Sequence, residues 1–419
     1  MWGPARKGRF NYMVLGIIAE YNPFHNGHLY HLLKSKELTK DDYCIAIIGG
    51  NFTQRGEPSL IDKWTKAEMA LASGIDLVLE LPTLYATSSA ENFADGAIKI
   101  LSSLKIVDNI SFGAETNNLN KLNIIANTLY KEPKEYKILL AEELNKGLSF
   151  PKARENALIH YLNDNSCSLI LNEPNNILGI EYLKALKKNK SLINPIIVPR
   201  KKAGHLAKDY TGQITSASAI RNMIRTNKTL NLKNTLTPSS YTILADEMNK
   251  GHFVADFSAF EKIIIYNLRT MSLEKIRNLP DVSEGLENII KKASISCNSL
   301  DEFINIATSK RYTETRLKRI LLYSLLGITK KDMQISKKTL PYARVLGFNN
   351  NGKKLISKIS ENNPNIEIIT SLKKFIDSNK NKNLQTLIEK DIYATNIYTL
   401  GFSNDSWANL DFTKKIVIR

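Results

Sequence analysis

Between Met13 and about residue 200 the chain alternates short, uniformly apolar runs with longer stretches of helical spacing. Val14–Ala19, 44–48, Leu77–Leu81, 109–112 and 195–198 are β-rich and read as buried strands. Residues 29–37, Lys63–Ala72 and 92–104 carry the 3.6-residue period of helices. Asp62 stands where an N-cap should be for the second of these, and Gly74 lies just past its end. Strands apolar on both faces and separated by helices predict an α/β fold: a doubly wound parallel sheet covered on both sides. Such sheets bind ligands at the carboxyl ends of their strands. Several strands here end in small or polar residues, at Ala19-Glu20, Gly49-Gly50-Asn51, Gly113-Ala114-Glu115 and Pro199-Arg200.

From about Leu236 helical periodicity takes over, as in 260–271, 285–293 and 316–326. Residues 392–400 and 414–418 read as strands, and 349–352 and 379–383 as loops. A polar cluster over 222–237 puts the boundary near residue 230. The expected organisation is a leader or artificial extension over 1–12, an α/β domain over 13–230, and a second, mainly helical domain over 231–419. Met13, directly before the first strand, is the expected natural start.

Composition narrows the class. A chain of 419 residues suits two domains, and 43% hydrophobic with 24% charged residues fits a soluble globular protein. No apolar run approaches the roughly 18–20 residues needed to span a bilayer, and the first twelve residues lack a signal-peptide core, so the expected location is cytoplasmic. Cys44, Cys167 and Cys297 are scattered, as expected of buried thiols in a reducing compartment. A net charge of +17 points to a polyanionic partner, with compositional drift in a Lys-rich chain as the plain alternative.

Candidate chemistry begins after the first strand. His25, His28 and His31 fall within Glu20-Tyr21-Asn22-Pro23-Phe24-His25-Asn26-Gly27-His28-Leu29-Tyr30-His31. Pro23 turns the chain, Gly27 leaves room for a ligand, and a helix starts near His28. A helix N-terminus suits phosphate. Two imidazoles there, His25 and His28, can face one anion and neutralise the charge that builds during in-line substitution at the α-phosphorus of ATP. A three-histidine metal site and ordinary helix-start histidines are the rival readings. A second signal is Ile214-Thr215-Ser216-Ala217-Ser218-Ala219-Ile220-Arg221, where the Ser216 and Ser218 hydroxyls and Arg221 suit the outer phosphates.

Together these motifs resemble the HxGH nucleotidyltransferases and, more narrowly, the bacterial tRNA(Met) cytidine acetate ligase family. Further matching strings are Gln54-Arg55-Gly56-Glu57-Pro58, Glu80-Leu81-Pro82, Ser111-Phe112-Gly113-Ala114-Glu115, Pro174-Asn175-Asn176-Ile177-Leu178-Gly179-Ile180-Glu181-Tyr182 and Tyr312-Thr313-Glu314-Thr315-Arg316-Leu317-Lys318-Arg319. The resemblance implies an enzyme that makes acetyl-adenylate from ATP and acetate, with Mg2+ as counter-ion of ATP. The acetyl group then passes to N4 of the wobble cytidine of elongator tRNA(Met). It also implies ATP contacts from Ile18, Ala19, Glu20, Tyr21, Asn22, Pro23, Phe24, His25, Asn26, Gly27, His28, Leu29, Tyr30 and His31, together with Gly113, Asn175 and Arg200. Ser218 departs from the family's threonine but keeps a hydroxyl.

Glu57 and Glu80 suit magnesium or structural hydrogen bonds, and the latter is the preferred reading. On the RNA side the expected contacts are Lys201, Lys202, Lys310, Arg311, Arg316 and Arg319, with Lys318, Arg344, Lys353 and Lys354 nearby. Two other functions compete: adenylyl transfer to a small phosphorylated metabolite, and RNA binding by an inactive relative.

Overall fold

The computed structural model describes residues 12–200, 212–283, 285–309, 311–362, 366–404 and 407–419. Its centre is one sheet: β1 (Val14–Ala19), β2 (Tyr43–Gly49), β3 (Leu77–Leu81), β4 (Asn109–Ala114), β5 (Asn194–Pro199), β6 (Ala343–Phe348), β7 (Ile368–Ile369) and β8 (Val417–Ile418). The order is β5-β4-β1-β2-β3-β6-β7, with β8 on β6, and the first five strands are parallel. The chain leaves β1 toward β2 and β3 on one side and returns to β4 and β5 on the other. The switch point therefore lies between β1 and β4, where a ligand crevice is expected.

Side-chain alternation explains why both faces are covered. Val14 and Ile18 of β1 enter one core while Leu15 and Ile17 enter the other; Ile45 and Ile47 of β2 face the first, Cys44, Ala46 and Ile48 the second. Helices α1 (Asn26–Thr39) and α2 (Lys63–Ala72) begin where the capping residues place them, with Asp62 Oδ1 accepting from Thr65 N at 2.7 Å. No helix among the described residues is long and apolar enough to cross a membrane.

The second half departs from the sequence reading in three places. Residues 392–400, expected as a strand, lie mostly in the Lys382–Tyr398 helix, where Leu384, Leu387, Ile388, Asp391, Ala394 and Tyr398 are buried at helical spacing. Residues 349–352, expected as a loop, open the Asn350–Asn362 helix, and Lys382 already starts the helix that follows the Asn379 loop. Third, strand β6, which no sequence signal marked, pairs antiparallel with β3 (Leu77↔Phe348, Glu80↔Arg344). Strands β6, β7 and β8, all from beyond residue 231, thus extend the same sheet.

Arg344 disguised that strand. It is buried, not on an RNA-facing surface, in a group of charges from both halves of the chain. Its guanidinium lies 3.2 Å from Glu80 and 2.6 Å from Asp411, and Lys63 Nζ lies 2.8 Å from Glu80 and 2.7 Å from Asp411. Each charge has an opposite partner, which is the condition for keeping such groups out of water.

Candidate active site

At the carboxyl ends of β1 and β4 a cavity of about 320 Å3 opens, lined from seven parts of the chain. Its first wall is the turn after β1. Tyr21 is held in a left-handed conformation (φ 46°), packed on Phe24 and His28 with ring centroids 4.8 and 4.9 Å apart. Asn22 Oδ1 accepts from Leu60 N at 2.7 Å, and its carbonyl accepts from Arg221 Nη1 at 3.0 Å, so the turn is tied to both flanking segments.

The histidine geometry follows from helix capping. His25 is the N-cap of α1, and its Nδ1 accepts from Gly27 N at 3.0 Å. His28 reaches back, its Nδ1 accepting from His25 N at 3.2 Å. A backbone N–H can only donate, so both Nδ1 atoms carry lone pairs. The neutral rings must then hold their protons on Nε2. The rings stack at 3.8 Å. Gly27 is required by this arrangement itself: a Cβ there would lie 2.8 Å from His25 Cε1, so the glycine makes room for the ring, where sequence had suggested room for a ligand.

These imidazoles are uncharged. Burial first, then the charges of Arg200 and Arg221, lowers His25 to about 3. Burial and Arg200 lower His31 to about 4, and burial with the neighbouring histidines holds His28 well below the ordinary value. The pair of imidazoles expected at this mouth thus acts on an anion without a charge of its own. Histidine here supplies neutral N–H donors, and positive charge comes from Arg55, Arg200 and Arg221, which line the same cavity.

His31 has its own partner, with Nε2 3.1 Å from Ser111 Oγ, which in turn lies 2.7 Å from Ser35 Oγ. That contact draws it away from a three-histidine metal set. Among the described residues no group of three or more His, Cys, Asp or Glu side chains is placed to hold a metal ion.

A second helix N-terminus enters opposite. Ser216 caps the Ala217–Arg225 helix, its Oγ accepting from Ala219 N at 3.1 Å and lying 3.3 Å from Ser218 Oγ. Two helix starts thus bring the positive ends of their backbone dipoles to one space, alongside Arg221. The far end is different in character. Phe112 and Tyr182 pack there with rings tilted by 55° and centroids 5.6 Å apart, beside Leu178, Val198, Gly113 and Asn175.

Of the residues expected around ATP, Ile18, Ala19, Glu20, Tyr21, Asn22, His25, Gly27, His28, Tyr30, His31, Gly113, Asn175 and Arg200 line the cavity, as do Ser216, Ser218 and Arg221. Pro23, Phe24, Asn26 and Leu29 do not. Phe24 is fully buried in the core, Leu29 packs against that core, and Asn26 Nδ2 donates to the carbonyls of Gln213 and Asn234 at 3.1 and 2.9 Å. Pro23 shapes the turn. Sequence reasoning gave no role to Gln54, Arg55, Phe93, Phe112, Tyr182 or Thr215, which line the cavity from separate segments. All but Phe93 stand within the matching strings, which gave them no individual role.

The expected RNA contacts scatter. Lys201, Lys202 and Lys310 lie outside the described residues, and Arg311 is exposed. Arg316 donates to Asp281 O (2.9 Å) and Ser283 Oγ (2.8 Å), and Arg319 Nε lies 2.8 Å from Asp281 Oδ2. Those two guanidiniums are engaged within the protein. Lys353 and Lys354 are exposed.

Comparison with known proteins places this geometry. Residues 12–411 match the model of a family described as HIGH Nucleotidyl Transferase. The chain is 47% identical over 406 residues to a tRNA(Met) cytidine acetate ligase of Thermoanaerobacter sp. (strain X514), covering 96% of this chain and 99% of that one. It is 45% identical, with the same coverage, to the enzyme of that name from Caldanaerobacter subterraneus subsp. tengcongensis. Crystal structures of Thermotoga maritima TmcAL superpose with a TM-score of 0.94 in the apo form and 0.91 when bound with alpha-thio ATP. Both are 34% identical and cover 97% of this chain and 99% of theirs.

Proposed function

We infer how this cavity works from one premise: the chain belongs to the HIGH nucleotidyl transferase family and, within it, to the tRNA(Met) cytidine acetate ligases. It is an ATP-dependent ligase. It activates acetate as acetyl-adenylate and transfers the acetyl group to N4 of the wobble cytidine of elongator tRNA(Met), giving N4-acetylcytidine.

In the first step an acetate oxygen attacks the α-phosphorus, the bond to the bridging oxygen breaks, and pyrophosphate leaves with the electron pair. The His25 and His28 Nε2–H groups and the two helix N-termini sit where charge develops on the phosphate oxygens. Fixed donors of this kind lower a barrier because they need no reorganisation as the reaction proceeds. Arg221, Ser216 and Ser218 take the outer phosphates, and Arg200 meets the triphosphate from the end of β5. In the second step the cytidine amine attacks the acetyl carbon, AMP leaves, and the amine gives up one proton. That amine is a weak nucleophile, so holding donor and acceptor in line supplies much of the rate.

Magnesium would accompany ATP as its counter-ion. The acids around the cavity do not fit a metal held by the protein: Glu57 lies 2.7 Å from Lys318, Glu115 caps the Pro174–Lys188 helix, and Glu20 accepts from Gln54 N at 2.7 Å.

The second half, with the basic balance of the whole chain, holds the tRNA, and residues 13–230 carry the chemistry. An anticodon base is reachable because single-stranded loops let bases splay out.

The observation that carries this reading is the pair of Nδ1 atoms tied to backbone N–H groups, which leaves two Nε2–H donors at a double helix start. Incubation with labelled acetate, ATP and total bacterial tRNA, followed by nucleoside mass analysis, tests it. Acetate-dependent pyrophosphate exchange and labelled N4-acetylcytidine are expected. A folded sample that gives neither would refute the enzyme.

A further inference from the structure

The loop after β4 and the start of the Pro174–Lys188 helix grip each other through three side chains. Glu115 N and Thr116 N donate to Asn176 Oδ1 at 3.0 and 3.1 Å. In return, Asn176 N donates to Glu115 Oε2 at 3.0 Å, and Asn175 Nδ2 donates to Glu115 Oε1. Arg200 Nε lies 4.0 Å from the same Oε1. Both carboxylate oxygens are therefore engaged, and a carboxylate can only accept. This fixes the Asn175 amide one way round. One N–H of its NH2 goes to Glu115, which sets the nitrogen on the carboxylate side and leaves the carbonyl oxygen as the acceptor Asn175 has to offer the cavity it lines.

We infer that Glu115 is a positioning residue for nucleobase selection: it turns the Asn175 carbonyl toward the base, where it takes a hydrogen bond from an exocyclic amine. The inference rests on the reading that this cavity holds ATP. The triphosphate goes to the two helix starts, so the base falls at the aromatic end, between Phe112, Tyr182 and Leu178, beside Asn175. The 6-amino group of adenine is a donor and meets an acceptor. A 6-oxo purine would set two acceptors against each other, a mismatch that binding sites reject strongly.

Glu115→Gln gives a sharp test, because Asn176 N–H still demands an acceptor. The glutamine must turn its oxygen to Asn176 and its NH2 to Asn175, and Asn175 must then flip to present NH2 to the cavity. Calorimetric titration of the full chain with ATP and ITP reads this directly. Wild type should bind ATP at least about tenfold more tightly than ITP, and E115Q should lose about tenfold of that ratio or invert it. A helix cap with a merely structural role would not move the ratio.

If E115Q does not fold, wild type alone still decides. N6,N6-dimethyl-ATP should bind as poorly as ITP, while 2′-deoxy-ATP should bind within about threefold of ATP. Equal binding of ATP and ITP by wild type, or an unchanged ratio in folded E115Q, overturns the inference. Binding requires neither acetate nor tRNA. A chain that selects ATP as described yet shows no acetate-dependent exchange would overturn the proposed reaction and leave this assignment standing.

Discussion

Lys318 Nζ lies 2.7 Å from Glu57 Oε1, joining the Glu314–Leu326 helix of the second half to the loop that carries Arg55 into the cavity. The other Glu57 oxygen lies 3.8 Å from Arg221. Burial would raise the Glu57 carboxyl, but Lys318 and Arg221 outweigh it and hold it below the ordinary value. Gly56 fixes the docking: its φ is +80°, and a Cβ there would come within 2.5 Å of Arg319 N.

Glu57→Gln should therefore loosen Arg221 more than it destabilises the fold. An increase of about tenfold in the KM for ATP, with a smaller change in kcat, is expected. Lys318→Ala should do the same, and the double variant should cost less than the sum because the two changes remove one interaction. Acetate-dependent pyrophosphate exchange reads all three, and full additivity would contradict the link.

Gly27→Ala tests the histidine packing. The added methyl would lie 2.8 Å from His25 Cε1 and 3.0 Å from Nδ1, so the ring must move. Displacing one oriented donor should lower the exchange rate on the order of 100-fold, with little change in melting temperature. His28→Ala should cost about 100- to 1000-fold, and His28→Gln, which can keep a donor near the Nε2 position, should recover part of it.

Acid stability has a worked sign. The unfolded chain's histidines take up protons below about pH 6.5, whereas the folded protein keeps His31 neutral to about 4 and His25 to about 3. The unfolded state thus binds more protons in that window. Stability from these groups is full above pH 6.5 and falls as pH drops through it, by about 1.4 kcal/mol per pH unit for each histidine. Urea unfolding at pH 6 and pH 5 should show a shallower pH slope in His31→Asn than in wild type. Identical slopes would contradict a neutral buried ring.

Arg344→Ala should be severe. It leaves Glu80 and Asp411 facing Lys63 alone, and removing one partner of a buried ionic group costs about 3–5 kcal/mol. Denaturant unfolding measures the loss.

That same residue shows where the sequence was hard to read. Strands β1 and β3 were legible to the residue, because an uninterrupted apolar run needs no distant partner to explain it. Strand β6 was not, because Arg344 breaks its run and the acids that satisfy it lie far away in the chain. Residues 392–400 look alternating when viewed alone, and only the burial of Leu384, Leu387 and Ile388 before them makes the period helical. Arg316 and Arg319 passed for a solvent-facing basic stripe until Asp281 supplied a partner.

In the site, the His25-to-His28 motif and Arg221 were visible because local capping chemistry dictates them. The aromatic end was invisible, since Phe93, Phe112 and Tyr182 are ordinary core residues until the fold brings them to one wall. The protonation state of the histidines was not legible for a related reason: burial and the approach of Arg200 exist only in the folded chain.

Nitrogen-15 NMR of histidine-labelled protein at pH 7, with and without a non-hydrolysable ATP analogue, bears most directly on the two oriented donors. The account predicts His25 and His28 as neutral rings with bare Nδ1 and protonated Nε2 before nucleotide is added, and a shift of both Nε2 signals when it binds. Doubly protonated rings in the free protein, a proton on Nδ1, or Nε2 signals indifferent to nucleotide would contradict it.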